Sequence, residues 1–230
     1  MIEEKQKTFK DIRSEYDHFF RTEPIRDEDR AYRWHAAQLL KAKPDADSLL
    51  DLACGGGFYL RELKNRTQGK TKLTGVDISY EALELARKEC PEAKLLLGVG
   101  EALAFKEKTF DAITCLGSLE HFLDVGQAIG EMKRIAKKNA IFYILVPNLF
   151  WYKDILWVLL TGDRKTRNQT HERFASWGEW KRLLEEEGLR VVKTIKYNGI
   201  AKKALKQWLK DLFIPLRFSY HFLFICQSRD

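Results

Sequence analysis

The sequence has no hydrophobic run long enough for a membrane-spanning helix. Such a helix needs roughly 18 or more apolar residues with few or no charges. The two most apolar windows, 149–160 and 212–226, are both interrupted by charged side chains. The first seven residues, MIEEKQK, are mostly charged and lack the apolar stretch of a secretory signal. These absences predict a cytoplasmic protein.

Cysteine is scarce, and its spacing excludes two classes of small domain. The four cysteines, Cys54, Cys90, Cys115 and Cys226, lie far apart and form no CxxC pair. This spacing argues against a zinc knuckle and against a disulfide framework, and we expect no metal site. Thiols without a pairing pattern fit a reducing compartment.

The composition is that of a globular protein with a basic C-terminal region. The 230 residues are 45% hydrophobic and 32% charged, which is enough apolar material for a core and excludes wholesale disorder. The net charge is +7, and segment 193–217 holds seven basic residues and one acidic residue. Such a segment can meet phosphate, an anionic membrane surface or an acidic substrate, or it can simply keep the protein soluble.

Short apolar runs alternate with helical patterns, which predicts an α/β fold with a parallel sheet and helices on both faces. Strand patterns cover residues 48–53, 72–77, 94–97, 110–115, 140–146, 190–196 and 218–226, and helical patterns cover 57–65, 81–89, 125–138 and 177–187. We expect a helical N-terminal cap over 1–47 and one domain over 48–230. Segments 147–176 and 198–217 interrupt the alternation and are expected to be insertions on the substrate side or at the surface.

The most specific signal is an apolar strand that runs directly into a glycine cluster. Residues 49–57 read LLDLACGGG, and an acid, Asp77, ends the next predicted strand twenty residues after Gly57. Glycines at such a turn let a ligand approach the backbone, and an acid at the tip of the second strand accepts ribose hydroxyls in nucleotide-binding folds. The alternative is a tight turn at the glycines and a helix cap at Asp77.

The details of this motif distinguish between nucleotides. The GK[ST] ending of a phosphate-binding loop is absent, and GxGxxG is not matched because position 60 is leucine. Asp51 lies just before the glycines, where its negative charge would repel a pyrophosphate and attract an ammonium group. This combination favours S-adenosylmethionine as the cofactor.

The motifs resemble those of the class I S-adenosylmethionine-dependent methyltransferases, of the small-molecule type related to the ubiquinone and menaquinone methyltransferases. Residues 51–57 are similar to the first family motif, DxGxGxG, with Ala53 in place of its first glycine. Residues 75–79, GVDIS, resemble the second motif. Residues 98–105, GVGEALAF, resemble the third, usually GDAxxLPF. The likeness is close over 48–146.

The resemblance implies a Rossmann-like sheet of seven strands in the order 3-2-1-4-5-7-6, with the last strand antiparallel. The cofactor is then expected across the carboxyl ends of strands one, two and four. In the third motif Val99 replaces the aspartate that accepts the adenine amino group, so Glu101, or the backbone of Gly100 and Glu101, is expected to serve instead. The expected cofactor-binding residues are Asp51, Ala53, Gly55, Gly57, Asp77, Ile78, Gly100, Glu101 and Leu116.

Two histidines are candidates for a general base, which is needed only when the acceptor must lose a proton. His121 follows the fourth strand in the sequence SLEH, close to the expected position of the methyl group. His171 lies in segment 147–176, where related enzymes place substrate contacts. The alternatives are that His121 merely leads into the next helix and that His171 is a solvated loop residue.

Two helical segments are expected to border the site. The N-terminal cap carries Tyr16, Phe19, Phe20 and Trp34, which either close over the cofactor or serve plain helical packing. Residues 201–212 form a basic amphipathic pattern that suits peripheral membrane contact. We favour the commoner arrangement, in which that helix packs on the core with its lysines in solvent.

Together these features predict a methyltransferase that acts on a small molecule or a lipid or saccharide intermediate, at oxygen. The Asn/Asp-Pro-Pro-aromatic motif of base-methylating enzymes is missing after the fourth strand, where 116–119 reads LGSL, so a nucleic-acid substrate is disfavoured. An RNA methyltransferase and a binding module without turnover remain as alternatives. The oligomeric state is not indicated.

Overall fold

The fold is a twisted sheet with helices on both faces. The computed structural model describes residues 7–23, 29–162, 173–200 and 204–229, and in these ranges seven strands form one sheet in the order 3-2-1-4-5-7-6. The strands are β1 (Ser48–Leu52), β2 (Lys72–Asp77), β3 (Lys94–Leu97), β4 (Phe110–Leu116), β5 (Ala136–Pro147), β6 (Leu189–Tyr197) and β7 (His221–Ser228). β7 pairs antiparallel with β5 and β6, and the other neighbours are parallel. The predicted fold class and strand order are confirmed.

Helices cover both faces of the sheet. The helices of the described residues are α1 (Phe9–Thr22), α2 (Asp29–Ala42), α3 (Phe58–Thr67), α4 (Tyr80–Glu89), α5 (Val125–Ile135), α6 (Tyr152–Thr161), α7 (Trp177–Glu186) and α8 (Ala204–Phe213), of which α2, α3, α4, α5 and α7 contribute to the core on the two faces. One core cluster contains Ile129 of α5 and Trp180 of α7. The other joins Leu39 of α2 to Leu60 of α3 and Leu83 of α4. The apolar side of each of these helices therefore packs against the sheet.

The starts of two helices follow from their caps. The Ser79 side chain accepts a hydrogen bond from the backbone N–H of Ala82, and Asp124 accepts one from the N–H of Gln127. These bonds satisfy backbone donors that have no partner inside the helix. They fix where α4 and α5 begin, next to the carboxyl ends of β2 and β4.

Two predicted boundaries are wrong. The helix predicted over 125–138 is shorter, because α5 ends at Ile135, Ala136 pairs with Phe110 and Lys137 reaches Asp111 at 2.8 Å. The last strand was expected from 218 but begins at His221, because Leu216–Phe218 form a 3-10 turn. At the first boundary a contact distant in sequence overrides the local pattern, and at the second a local turn delays the strand.

The N-terminal segment contributes to the core. Ala36 and Leu39 of α2 are buried in the same cluster as Leu49 of β1. The division into 1–47 and 48–230 stays a prediction. No helix in the described part of the chain is both long and apolar enough to cross a membrane.

Parallel strand direction creates the edge at which a ligand can bind. β1, β2, β4 and β5 run parallel, and β6 has the same direction because both it and β5 are antiparallel to β7. Their carboxyl ends therefore lie at one edge of the sheet. Open α/β sheets bind ligands at this edge.

Replacing Gly57 by alanine is expected to destabilise the protein more than replacing Gly69. Both glycines have φ near the left-handed region, at 77° and 74°. A Cβ at Gly57 would lie 2.8 Å from the Ala86 Cβ, whereas nothing lies within 4 Å at Gly69. We expect Gly69→Ala to cost about 1 kcal/mol through its backbone alone and Gly57→Ala about 2 to 3 kcal/mol through backbone and crowding.

Urea unfolding of the two variants and the wild type measures this difference. Equal losses at the two positions would contradict a close contact between α3 and α4 at Gly57.

Candidate functional site

A cleft opens where β1, β2 and β4 end at the carboxyl edge of the sheet. The space not filled by protein atoms, with the open solvent at its mouth included, is about 870 Å³. Its floor comes from the strand ends and the loops that follow them, and α1 forms its roof. The lining residues are Phe9, Ile12, Tyr16, Phe20, Leu52, Ala53, Gly55, Val76, Asp77, Ile78, Gly98, Val99, Gly100, Glu101, Gly117, Ser118, His121, Phe122 and Leu123.

Asp77 is the buried acid of this cleft. Its side chain, in a residue only 6% exposed, accepts hydrogen bonds from the backbone N–H of Gly55 at 2.8 Å and of Ser79 at 2.9 Å. Burial raises the pKa of Asp77, and the backbone N–H donors of Ser79 and Gly55 oppose that shift. Because each oxygen accepts one backbone bond, the carboxylate is held in place and keeps acceptor capacity for a ligand's hydroxyl groups.

The loop after β1 exposes bare backbone to the cleft. Gly55 has φ 52°, and a Cβ there would lie 3.6 Å from the Phe20 ring on α1. Ala53, where the family motif has glycine, also has a left-handed φ of 58°. An L-residue in that region costs roughly 1 to 2 kcal/mol. The loop therefore holds a turn that glycine would adopt more readily.

Asp51 lies behind the floor of the cleft. It is 3% exposed, and the Thr114 hydroxyl of β4 donates to its Oδ1 at 2.6 Å. Burial raises the pKa of Asp51 to about 7, the Thr114 hydrogen bond opposes this, and the nearby charge of Asp77 adds to it. Asp51 is thus a second buried carboxyl beside Asp77, and its own pKa lies near neutrality.

The segment after β3 supplies an apolar wall and an anchor. Val99 lines the cleft, and a Cβ on Gly100 would lie 2.7 Å from the Phe122 ring. Glu101 is buried, and its Oε1 accepts from the backbone N–H of Leu123 at 2.9 Å and of Asp124 at 3.4 Å. Glu101 thus fixes the loop after β4 against this segment, while remaining a lining residue.

Helix α1 closes the cleft from above. Phe9, Ile12, Tyr16 and Phe20 line it at helical spacing. The sequence predicted Tyr16 and Phe20 but missed Phe9 and Ile12, although their spacing of three and four residues was visible. Of the other predicted cap aromatics, Phe19 points outward with 45% exposure.

Polar bonds hold α1 over the strand ends. Arg13 Nε donates to the Ile78 carbonyl at 3.1 Å, and Asp17 accepts from the Ser79 hydroxyl at 2.6 Å. Trp34, the remaining cap aromatic, lies on α2 and packs against Tyr197 of β6. It is therefore separate from the lining of this cleft.

The structure brings most of the predicted site residues together. Those that line the cleft are Ala53, Gly55, Asp77, Ile78, Gly100, Glu101 and His121. Asp51, Gly57 and Leu116 lie behind the lining, at the ends of β1 and β4 and at the start of α3. His171 lies outside the described residues.

His121 stands at the boundary between the cofactor motifs and the roof. It ends the 3-10 helix Leu119–His121 after β4, and its ring is 6.5 Å from that of Tyr16, edge to face. A half-buried imidazole on the wall of an apolar cleft can accept a proton. Phe122 and Val99, which sequence analysis did not select as ligand contacts, complete the apolar wall beside it.

Comparisons with known proteins agree with this fold. The family model described as "Methyltransferase domain" matches residues 50–144. A ubiquinone biosynthesis O-methyltransferase of Alkalilimnicola ehrlichii is 34% identical over 169 residues, covering 67% of this chain and 66% of the relative. The chain spans between about half and three quarters of the length of the curated relatives it matches.

Two solved structures have the same fold at low sequence identity. One is a putative methyltransferase in complex with the Haloferax volcanii Trm112 methyltransferase activator, with a TM-score of 0.68, 21% identity, and coverage of 95% of this chain and 98% of that one. The other is Burkholderia thailandensis 1,6-didemethyltoxoflavin-N1-methyltransferase with its substrate and S-adenosylhomocysteine. Its TM-score is 0.66 at 14% identity, covering 95% and 88% of the two chains.

Asp51→Asn is expected to stabilise the protein increasingly as the pH rises. The folded pKa of about 7 lies above the unfolded value of about 3.9, so the wild type loses stability as pH rises between these values. Asparagine keeps the acceptor for Thr114 and has no charge. The advantage of the variant should be small near pH 4 and grow by up to about 1.4 kcal/mol per pH unit until neutrality.

Asp111→Asn is the matched control with the opposite sign. Burial alone would raise the pKa of Asp111, but the side chains of Lys137 and Ser48 donate to it and lower the pKa overall. This variant should therefore lose stability at pH values above about 3.9. Chemical unfolding across pH 4 to 8 measures both variants. A pH-independent difference between wild type and Asp51→Asn would contradict a buried carboxyl that titrates near neutrality.

Proposed function

We propose that this chain, which belongs to the class I S-adenosylmethionine-dependent methyltransferases, transfers a methyl group from S-adenosylmethionine to a small-molecule acceptor. The observation that carries the proposal is the buried Asp77 carboxylate, fixed by two backbone N–H groups beside a left-handed glycine turn and open to an apolar cleft.

The residues present fit the cofactor. A nucleoside offers two ribose hydroxyls, and Asp77 retains acceptor capacity on both oxygens for them. Val99 and Phe122 provide apolar surface for a flat base. The bare backbone at Gly55 lets a ligand approach closely. Asp51, behind the floor, supplies negative charge when ionised, which suits the ammonium group of a methionine moiety.

The chemistry of the cofactor leaves few tasks to the protein. S-adenosylmethionine supplies an activated methyl group on a positively charged sulfur. The chain has to align the acceptor and exclude water. Phe9, Ile12 and Tyr16 do so from the roof, and the bonds of Arg13 and Asp17 keep α1 closed on β2. His121 accepts the proton when the acceptor is a hydroxyl.

The acceptor we propose is a ring compound of the quinone-precursor type, methylated at oxygen. The name of the Alkalilimnicola relative places that protein in ubiquinone biosynthesis as an O-methyltransferase. The aromatic side chains on both sides of the cleft, Tyr16, Phe20 and Phe122, suit a planar acceptor. A lipid or saccharide part of the acceptor, as the sequence predicted, belongs to the same proposal.

Asp77→Asn is expected to weaken binding of S-adenosylhomocysteine at least tenfold, about 1.4 kcal/mol. The substitution keeps the size of the side chain but removes its charge and half of its acceptor capacity. The amide nitrogen also faces one of the two backbone N–H groups, so one of the bonds that fix the side chain is lost. Asp124→Asn is the control, because that exposed residue caps α5 near the cleft and asparagine caps equally well. Isothermal titration calorimetry measures both, with thermal unfolding as the check of folding.

Lack of binding to folded wild type that is free of co-purified ligand would contradict the proposed cofactor site. If both variants bound S-adenosylhomocysteine equally weakly, the loss of affinity would not be specific to Asp77. Tight binding without turnover on any phenolic or quinol acceptor would favour a binding module.

His121→Gln is expected to lower kcat for a hydroxyl acceptor by at least about 100-fold, with KM nearly unchanged, because general-base catalysis contributes on that scale. His18→Gln on the exposed face of α1 is the control and should leave kcat unchanged. Release of S-adenosylhomocysteine from a panel of phenolic and quinol acceptors, followed against pH, measures the effect. An unchanged kcat and pH profile would remove His121 from the proton transfer.

A further inference from the structure

Two helices at the carboxyl edge of the sheet present apolar side chains to solvent. α6, all of whose residues are described, has none that is buried. Leu159 and Leu160 at its C-terminal end are 77% and 75% exposed. On α8 the exposed fraction is 58% for Trp208 and 71% for Phe213. The exposed apolar side chains, which we call the apolar platform, are Leu156, Trp157, Val158, Leu159 and Leu160 of α6 and Leu205, Trp208, Leu209, Leu212 and Phe213 of α8.

The topology places both helices at one edge. β5 and β6 have the same direction, and Pro147 at the end of β5 and Tyr197 at the end of β6 both pair with His221 of β7. α6 and α8 each follow one of these strand ends within a few residues. The apolar platform therefore lies at the edge of the sheet that also carries the cleft.

Polar bonds to the backbone hold the ends of these helices, beside a ring contact between Trp151 at the start of α6 and Tyr220. Asn148, which is buried, donates to the carbonyls of Arg217 and Ser219 and accepts from the backbone N–H of Phe150, so it ties the entry of α6 to the exit of α8. Lys196 donates to the carbonyls of Asp211 and Ile214 at the C-terminal end of α8. The apolar side chains are thus left for another partner.

This arrangement corrects the expectation for the basic segment. The sequence favoured a helix over 201–212 packed on the core. The structure describes a helix over Ala204–Phe213 in which Leu205, Trp208, Leu209 and Leu212, four of the residues expected to pack, are all exposed. Residues 201–203 lie outside the described part. Contiguous exposed apolar surface of this kind marks an interaction site.

Charge decides which partner fits. Segment 193–217, which contains α8, carries seven basic residues and one acidic residue, a local charge of +6. Apolar side chains flanked by cations, with tryptophan among them, match the interface of an anionic bilayer. A second copy of the chain would bring the same positive charge against itself, which opposes pairing.

We propose that the apolar platform docks this protein on the surface of an anionic lipid bilayer. The leucines and aromatic side chains of α6 and α8 enter the boundary between headgroups and acyl chains, and the net positive charge of segment 193–217 attracts the anionic lipid. The carboxyl edge of the sheet, with the mouth of the cleft, then lies at the membrane side. This inference is independent of the proposed methyl transfer, because docking requires no cofactor.

The test is co-sedimentation of the full chain, without cofactor, with phosphatidylcholine vesicles that contain about a third phosphatidylglycerol. We expect binding that falls as salt rises, because screening shortens the range of the lipid charges. The double substitution Leu159→Glu with Leu212→Glu should weaken binding at least tenfold. Val192→Glu, at an exposed apolar residue in the middle of β6, is the matched control and should bind like the wild type.

Several results would overturn the proposal. Equal binding to pure phosphatidylcholine vesicles would show that anionic lipid is not required. Failure of the folded wild type to sediment with the vesicles would show that the protein does not bind membranes. A concentration-dependent dimer in light scattering, abolished by the double substitution, would make a second copy the occupant.

A second measurement locates the contact on the protein. Bromine-labelled lipid in the same vesicles should quench the tryptophan fluorescence, and Trp208→Phe should lose part of that quenching. Unquenched tryptophans in vesicle-bound protein would place the contact elsewhere on the surface.

Discussion

The site depends on one carboxylate that gathers three parts of the chain. Asp77 ends β2 and accepts from the backbone of Gly55 in the loop after β1 and of Ser79 at the start of α4. Ser79 in turn donates its hydroxyl to Asp17 of α1. The loop after β1, the start of α4 and the roof helix α1 are therefore joined by one hydrogen-bonded network. Loss of the Asp77 charge affects the shape of the cleft as well as its chemistry.

This network has an energetic cost that points to function. Two carboxyl groups, Asp51 and Asp77, are buried near each other, and burial raises the pKa of both. A chain selected for stability alone would gain by placing neutral side chains there. The strained φ of Ala53 lies in the same loop. Concentrations of buried charge and backbone strain at one place are typical of ligand sites, where the ligand compensates for them.

Local patterns were sufficient to predict the sheet but insufficient for the walls of the site. The parallel sheet with helices on both faces follows from the alternation of elements, and the acid at position 77 follows from the motif spacing. The strand order came from the resemblance to the methyltransferase family. The role of Glu101 as an anchor for Leu123 and Asp124 was not predictable, because it depends on how two loops meet. The same holds for Phe9 and Ile12, which become lining residues only once α1 lies across the strand ends.

The predicted packing of the basic helix failed for a related reason. An amphipathic pattern shows that a helix has an apolar face, and it carries no information on what that face meets. Here Asn148 and Lys196 fix the ends of the helices through backbone carbonyls, so the apolar residues are not needed to attach them. Polar attachment and apolar exposure are therefore two parts of one arrangement, in which the helices stay folded while their apolar faces remain accessible.

The cleft and the apolar platform share one edge because strand direction allows no other arrangement. Connections that leave parallel strands at their carboxyl ends begin beside the ligand site, and both α6 and α8 belong to such connections. An acceptor with a planar head and a long apolar tail would suit both surfaces. Its head would fit a dry aromatic cleft, and its tail would stay in lipid beside the apolar platform. Placing both surfaces at one edge brings the head of such a molecule to the cleft without removing the tail from the bilayer, which avoids the cost of exposing that tail to water.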